Sequence, residues 1–547
     1  MISNMTKIFN RQLLKIFLLS LSILYSFICI FWGLDISDSF YYLMIFKSNE
    51  PHWMIGAFQI GGLIWIKLFG DTLVSMRICN WLLYSLSIIC AYVWFIPKEN
   101  QKQLLSLLSI PFLLLPTFSL NILNPDSFSL FLLVCYCKSF KDWFNCNNIS
   151  DDILLVTLML LLVAVRFPNI TLIPVSLVLV IACSTNRKYW MKFSIDCVVF
   201  MLLYIFWIYL LQHVIYTAND KYLLLFGGEN DGSHGIISLI SCYWSDAKMM
   251  IQYIPICLIV FIMYSRIYKN KCFCIISIFL ATFFLLCYMW YFVKLNHACH
   301  IVSLFASSVC ISLLLIKIFK SLNYDDYVCV GGGKEKLLPY LIVFSVAWCM
   351  PAGSDTGLLK LFPAYMVFIP FILYDYKIIY YKKPLLFLII MLVAICVRIH
   401  YLKPFGDLCI NKLNYVINNR KLKGIRTSID NYKMFESIND EIINVTGENV
   451  VFYSCASYAF YECFEKRKIL STSFFMLDDS KYDIESLSQC MKKYKPTIFF
   501  MPYSERASKR IFETRDSVSE AEKMILGNGY EEIKQTDYYV LYKSQDR

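Results

Sequence analysis

Apolar runs close to twenty residues long recur along this chain, and few folds can absorb them. An α-helix rises about 1.5 Å per residue, so about twenty apolar residues match the roughly 30 Å hydrocarbon core of a bilayer. Candidate spans are 13–32, 72–96, 103–122, 126–138, 152–166, 168–183, 190–212, 247–266, 272–292, 297–317, 335–352, 359–376 and 383–402. The chain is 58% hydrophobic and only 17% charged, an apolar share beyond what a soluble core uses. Tyrosine and tryptophan often sit near the run ends, where interfacial belts form. The expected fold is a polytopic α-helical membrane protein of about 13 transmembrane helices, followed by a small C-terminal α/β domain. Lys7, Arg11 and Lys15 precede the first run and no small-residue cleavage site follows it, so a retained first helix is expected.

Charge orients the spans. The net charge is +11, yet from residue 403 onward basic and acidic residues nearly balance, 22 against 21. The excess sits in the short loops before 403, which argues orientation rather than nucleic-acid binding. The stretch MIGAFQIGGLIWIKLFG (54–70) is ambiguous. It carries Gln59 and Lys67, and at helical rise it reaches about 25 Å, short of a full crossing. If it lies in the interface, PKENQKQ (97–103), KSFKDWFN (138–145), TNRKYWMK (185–192), RIYKNK (266–271) and DYKIIYYKK (375–383) all face inward. If it crosses, every one of them faces outward, against the positive-inside bias. The expected topology therefore starts inside and finishes outside, with 54–70 as an amphipathic helix in a long first outer loop.

The chain divides into 1–402 and 403–547. The second part loses long apolar runs and gains mixed charge. ENVVFYSC (448–455), KILSTSFFM (468–476), PTIFFMPY (496–503) and YYVLYK (538–543) read as strands; 457–467, 483–494 and 505–527 read as helices. Such alternation implies an α/β domain of three or four strands. No GxGxxG or P-loop occurs, so nothing argues nucleotide binding. The 22 cysteines fall mostly inside apolar runs, where they act as small hydrophobes. No CxxC pair occurs, and His297-x-x-His300 is a weak metal signal.

With this topology the polar residues gather on one side. Asp35 and Asp38 stand in the first outer loop, within GLDISDSFYYLMIFKSNEPHW (33–53), beside Tyr41, Tyr42 and His52. Asp126 follows an Asn-Pro turn, Arg166 ends a span, and Lys294 and His297 mark another outer end. Asp355 and Lys360 belong to the last outer turn but one, and Arg398 and His400 end the last span. Each has a plain structural reading. Asp38 and Asp126 can cap helices, Arg166 and Lys294 can snorkel to headgroups, and Asp355 can be turn chemistry. The one-sided accumulation is the stronger signal. An ion-coupled transporter needs ionisable groups or broken helices near the midplane, and the span centres are nearly free of charge.

The motif order resembles a known family. One span is followed by Asp35…Asp38-Ser39-Phe40-Tyr41-Tyr42, then Glu50-Pro51-His52-Trp53, Lys67-Leu68-Phe69-Gly70-Asp71…Arg77, and Asn124-Pro125-Asp126 at the second outer turn. This resembles the GT-C glycosyltransferases of the aminoarabinose-transferase and protein O-mannosyltransferase type, over roughly the first 180 residues in motif order. The resemblance implies a 13-helix membrane domain, juxtamembrane helices in the first outer loop and an outer C-terminal domain. It also implies sugar transfer from a polyprenyl phosphate to an extracytoplasmic lipid, glycan or protein acceptor, in a bacterial plasma membrane. The chain departs from the pattern where the family's second acid is Ser39 and where Glu50 precedes Pro51; His52 or Lys47 could supply the cationic contact.

On this reading a carboxylate takes the proton of the acceptor hydroxyl as it attacks the anomeric carbon, an effect of roughly 10²–10⁴-fold. Asp38 is the first candidate and Asp35 the second. Arg166, Lys360 and His52 are candidates for the leaving phosphate, whose developing charge needs fixed cations. Asp126, Asp355, Tyr41, Tyr42 and His297 are candidates for sugar or acceptor binding. No cofactor is indicated, and Asp126 and Asp355 could orient either sugar hydroxyls or a divalent cation. The competing class is a polyprenyl-linked lipid or polysaccharide flippase, which would favour a charged central cavity. A ligase or polymerase acting on diphosphate-linked glycan would place its large outer loop late in the chain.

Overall fold

The computed structural model describes residues 2–35, 38–47, 52–118, 123–146, 148–184, 186–215, 236–267, 298–322, 332–354, 357–374, 395, 399–400, 407–445, 449–453, 457–464, 487–488, 491–500 and 515–545. The expected span 272–292, nearly all of 383–402 and the expected strand 468–476 lie outside the described residues.

The first part is helical: α1 (Ile2–Ile28), α2 (Asp38–Lys47), α3 (Gly56–Phe69), α4 (Leu73–Phe95), α5 (Lys98–Leu104), α6 (Ser109–Phe118), α7 (Pro125–Cys146), α8 (Ile149–Val165), α9 (Leu172–Cys183), α10 (Arg187–Leu210), α11 (Ile236–Ile267), α12 (Ala298–Leu322), α13 (Gly332–Val346) and α14 (Leu361–Leu373). Local chemistry sets their limits. Gly70, at φ 87°, ends α3 and returns its N–H to Ile66 O. Two residues later Thr72 opens α4 by accepting from Ser75 N at 3.2 Å. Asn186 caps α10 through Lys188 N at 2.9 Å.

Among the described residues, three helices are long and apolar enough to cross a membrane: Gln12–Phe31, Leu73–Phe95 and Arg187–His213. Shorter apolar helices, including Leu105–Pro116, Phe167–Cys183, Ser303–Phe319 and Leu337–Cys349, pack with them. Packing of α7 on α8 and α4, of α12 on α11 and α14, and of α1 on α6 builds one apolar core. Phe112, Tyr136, Phe140, Trp143 and Tyr365 are fully buried in it. Helix α10 buries a single stripe (Phe193, Phe200, Tyr204) and exposes Val198, Leu202 and Ile205.

The ambiguous 54–70 stretch is helical, and its contacts fall on the ends of other helices. Trp65 Nε1 donates to Ser75 O at 3.1 Å, on the first turn of α4. Phe58 meets Phe128 edge-on at 5.4 Å, on the first turn of α7. Gly56 faces Leu211, where α10 ends. Helix α2 packs on α3, and Gly62 leaves the room that the Phe46 ring fills.

The second part holds β1 (Tyr415–Val416) and β2 (Arg426–Thr427), α15 (Ile429–Asn444), β3 (Val450–Tyr453), α16 (Ser457–Phe464), β4 (Thr497–Phe500), α17 (Arg515–Gly527), β5 (Tyr530–Gln535) and β6 (Val540–Ser544). The expected strands at 448–455, 496–503 and 538–543 contain β3, β4 and most of β6; β5 was not foreseen, its residues being mixed in charge. The sheet order is β3-β4-β6-β5, with β3 and β4 parallel and the other pairs antiparallel. Strand alternation gives each face its own core. Val451, Tyr453, Ile498, Phe500, Val540 and Tyr542 pack with Ala521 and Ile525 of α17. Val450, Phe452, Phe499 and Leu541 face the other way, with Phe435 and Ile438 of α15. That second cluster continues without a break into Phe40, Phe46, Phe58 and Met76 of α2, α3 and α4. One apolar cluster thus crosses the compositional boundary at 402/403.

Candidate functional site

Asp126 lies in the first turn of α7. Pro125 presets the helical φ at a position whose N–H would be unpaired, and Asn124 Oδ1 accepts from Ser127 N at 3.3 Å. A carboxylate there is favoured by the free amides of the helix start. Helix α8 stops at Val165 because Arg166 turns extended, at φ −155° and ψ 107°, ahead of Pro168. The Arg166 guanidinium then reaches a distant loop: Nη1 donates to Met350 O at 3.1 Å and Nη2 to Ala352 O at 2.7 Å. Its Nε stands 3.2 Å from Asp126 Oδ1. Lys360, at the end of the 3₁₀ turn Gly357–Lys360, places Nζ 2.8 Å from Asp126 Oδ2.

Two cations therefore converge on one carboxylate. The side chains of Asp126 and Arg166 are 9% and 8% exposed, whereas Lys360 is 24% exposed. Arg166 Nε–H is not aimed at Asp126 Oδ1, which lies in ion-pair range yet accepts no hydrogen bond. The cluster carries a net positive charge, one solvent-facing ammonium and one buried acceptor with spare capacity. Such a set can hold an anion and orient a hydroxyl.

Aromatic rings join the first loop to the start of α7 and to the turn after α8, the segments that carry Asp126 and Arg166. Tyr41 and Tyr42 are half-buried, their rings 5.1 Å apart. Tyr42 meets Phe58 edge-on at 5.3 Å, and Phe58 meets Phe128, two residues beyond Asp126. Trp53 packs on Phe167, the neighbour of Arg166, at 5.1 Å. His52 is exposed and gives its backbone N–H to Gln59 Oε1 at 2.9 Å; Gln59 Nε2 donates to Ile45 O at 3.1 Å, tying α2 to α3.

Asp35 is fully buried, and its Oδ2 accepts from Ser39 N at 3.0 Å and Ser39 Oγ at 2.7 Å. It therefore serves the first turn of α2. Asp38 opens that helix, but its side chain lies outside the described residues. Asp355, His297 and Lys294 also lie outside them. His400 stands elsewhere, 3.2 Å from Asn411 Nδ2. Asp126, Arg166 and Lys360 are thus brought together, Tyr42 is linked through Phe58 to Phe128 on the first turn of α7, and Asp35 is occupied locally. Among the described residues no group of three or more His, Cys, Asp and Glu could hold a metal ion.

Several residues that organise this end carried no sequence signal as partners. Fully buried Arg77 donates to Ile30 O at 2.8 Å and Gly33 O at 2.7 Å, closing α1 onto α4. Asp407 accepts from Leu34 N at 3.0 Å and from Thr427 Oγ1. The segment NNRKLKGIRTS (418–428), which matches no motif, turns out to be a docking strap. Lys421 O accepts from Leu73 N at 2.9 Å, Arg426 O accepts from Gly33 N at 2.9 Å, and the Lys421 ammonium pairs with Asp71. Lys47 adds ion pairs to Asp71 at 2.8 Å and to Glu462 at 2.5 Å. Burial alone would raise the Asp71 carboxyl, but hydrogen bonds from Lys421 and Lys47 outweigh it and bring it down to about 2.

No family model matches this chain, and no curated protein does.

Proposed function

We propose that this chain is a membrane glycosyltransferase of the GT-C type, transferring a sugar from a polyprenyl-phosphate donor to an extracytoplasmic lipid, glycan or protein acceptor. The observation that carries the reading is the convergence of Arg166 and Lys360 on Asp126, with the first loop packed beside them through Trp53 and Phe58. Donor phosphate takes the positive charge of Lys360 and Arg166, with His52 at the exposed rim. Fixed cations stabilise charge that develops on the leaving oxygen without reorganising in the transition state. The open acceptor capacity of Asp126 Oδ1 suits a sugar hydroxyl, and Asp355, Tyr41, Tyr42 and His297 complete the sugar and acceptor contacts.

Asp38 is the general base. It removes the acceptor proton while the hydroxyl oxygen bonds to the anomeric carbon and the phosphate oxygen departs from the opposite face, so configuration inverts. Asp35 holds the first turn of α2 and so the backbone from which Asp38 projects. The topology that suits this chemistry has thirteen crossings, an inside start, and an outer first loop and tail on a bacterial plasma membrane. Contacts of α3 with helix ends, and of 418–428 with Gly33 and Leu73, support placing loop and tail on one side.

Purified full-length protein incubated with polyprenyl-phosphate sugar and acceptor should release polyprenyl phosphate. Asp38→Asn should cut the rate by roughly 10²–10⁴-fold while leaving donor binding intact. Full activity in that variant would remove Asp38 from the role, and no release by the parent protein would remove the reading.

A further inference from the structure

The loop that supplies Lys360 and the carbonyl partners of Arg166 is gripped from its other side by one helix. Tyr243 and Asp246, three apart and so on one face of α11, both reach it. Tyr243 OH donates to Pro351 O at 2.6 Å and accepts from Ser354 N at 3.1 Å. Asp246, buried at 3% exposure, accepts from Leu358 N through Oδ2 at 2.8 Å. Gly357 lies against Asp246 at φ 62°, where a Cβ would overlap Oδ2. Arg166 grips Met350 O and Ala352 O across the loop. Backbone groups at 350 and 352 are thus bound by Arg166, just past α8, and those at 351, 354 and 358 from α11.

We infer that Tyr243 and Asp246 form a latch whose task is to set the 3₁₀ turn Gly357–Lys360 so that the ammonium meets Asp126. They are positioning residues, acting on the site through the backbone and not by contact with a substrate. Asp246 fixes the start of the turn, at Leu358. Lys360 is two residues further, where the turn runs into α14. The consequence for donor phosphate rests on the glycosyltransferase reading; the mechanical coupling does not.

A double-mutant cycle on thermal unfolding of the detergent-solubilised full-length chain tests the latch. Lys360→Met should lower the midpoint in the parent protein and have less than half that effect in an Asp246→Ala background, because the ion pair is already lost. Asp246→Asn, which keeps a carbonyl acceptor for Leu358 N, should restore the effect. Equal shifts from Lys360→Met in both backgrounds, or an Asn variant that behaves as Ala, would overturn the latch. In parallel, polyprenyl phosphate binding should weaken about tenfold in Tyr243→Phe and in Asp246→Ala, the change expected for one charge-assisted hydrogen bond. Failure of the parent protein to bind polyprenyl phosphate, with the unfolding cycle still non-additive, would remove the functional reading and leave the latch standing.

Discussion

At the scale of single residues, burial decides what each charge is worth. Asp126 and Arg166 are almost enclosed, while Lys360 keeps contact with solvent. Asp126→Asn leaves a buried guanidinium without its counter-charge, and should destabilise the protein by about 3–5 kcal/mol. Lys360→Met should cost about 1 kcal/mol or less, since a partly exposed pair is weak, yet under the proposed glycosyltransferase function it should weaken donor binding strongly. Thermal unfolding in detergent alongside donor titration separates the two. Part of this was legible locally. Asn124-Pro125-Asp126 reads as a helix start from three letters, and it is one. Arg166 reads either as a snorkelling cation or as a phosphate partner; it turns inward, because carbonyls 184 and 186 residues away come to meet it. No spacing rule reports such a meeting. Asp35 and Asp38 were separable only by geometry: the acceptor for the Ser39 amide is Asp35, three residues before the helix opens.

Between elements, the joint that holds the tail is ionic at its rim and apolar at its centre. Lys47, Asp71, Lys421 and Glu462 come from four segments. Asp71 has a folded-state pKa of about 2 against an ordinary 3.8, so its contribution is fully present above pH about 4. That contribution is lost as pH falls from about 4 toward 2, when the carboxylate takes a proton and releases both lysines. Lys47 runs the other way. Burial lowers its pKa, but hydrogen bonds to Asp71 and Glu462 outweigh it and raise it, so its contribution is fully present below the ordinary 10.5 and is lost as pH rises from there through the raised value. Limited proteolysis of the tail should accelerate below pH 4, stay flat through neutral pH, and lose the acid step in Asp71→Asn. The sequence hinted at none of this, since the strap at 418–428 is a polar stretch without periodicity. The strands were easier to find, since runs such as VVFY and TIFF are apolar on both faces and the sheet buries both.

For the molecule as a whole, the apolar runs were the most legible feature, because a helix of bilayer length is a local property. The convergence of its ends was not, because it depends on which helices neighbour each other. The proposed orientation predicts that reporter fusions at 97–103 are active only as cytoplasmic reporters, and fusions after 547 only as extracytoplasmic ones; the reverse pattern would invert the topology. The shared cluster of first loop and tail has a temporal side. Leu34 waits for Asp407, 373 residues later, and Lys47 for Glu462, 415 residues later. During synthesis the parts of α2 and α3 that meet the tail stand open until the residues around 407–464 have been made, so this joint closes after the helices before it have been synthesised. A nascent chain halted at 402 would be presented to quality-control proteases with that surface bare, and its cellular half-life should fall well below that of the finished protein.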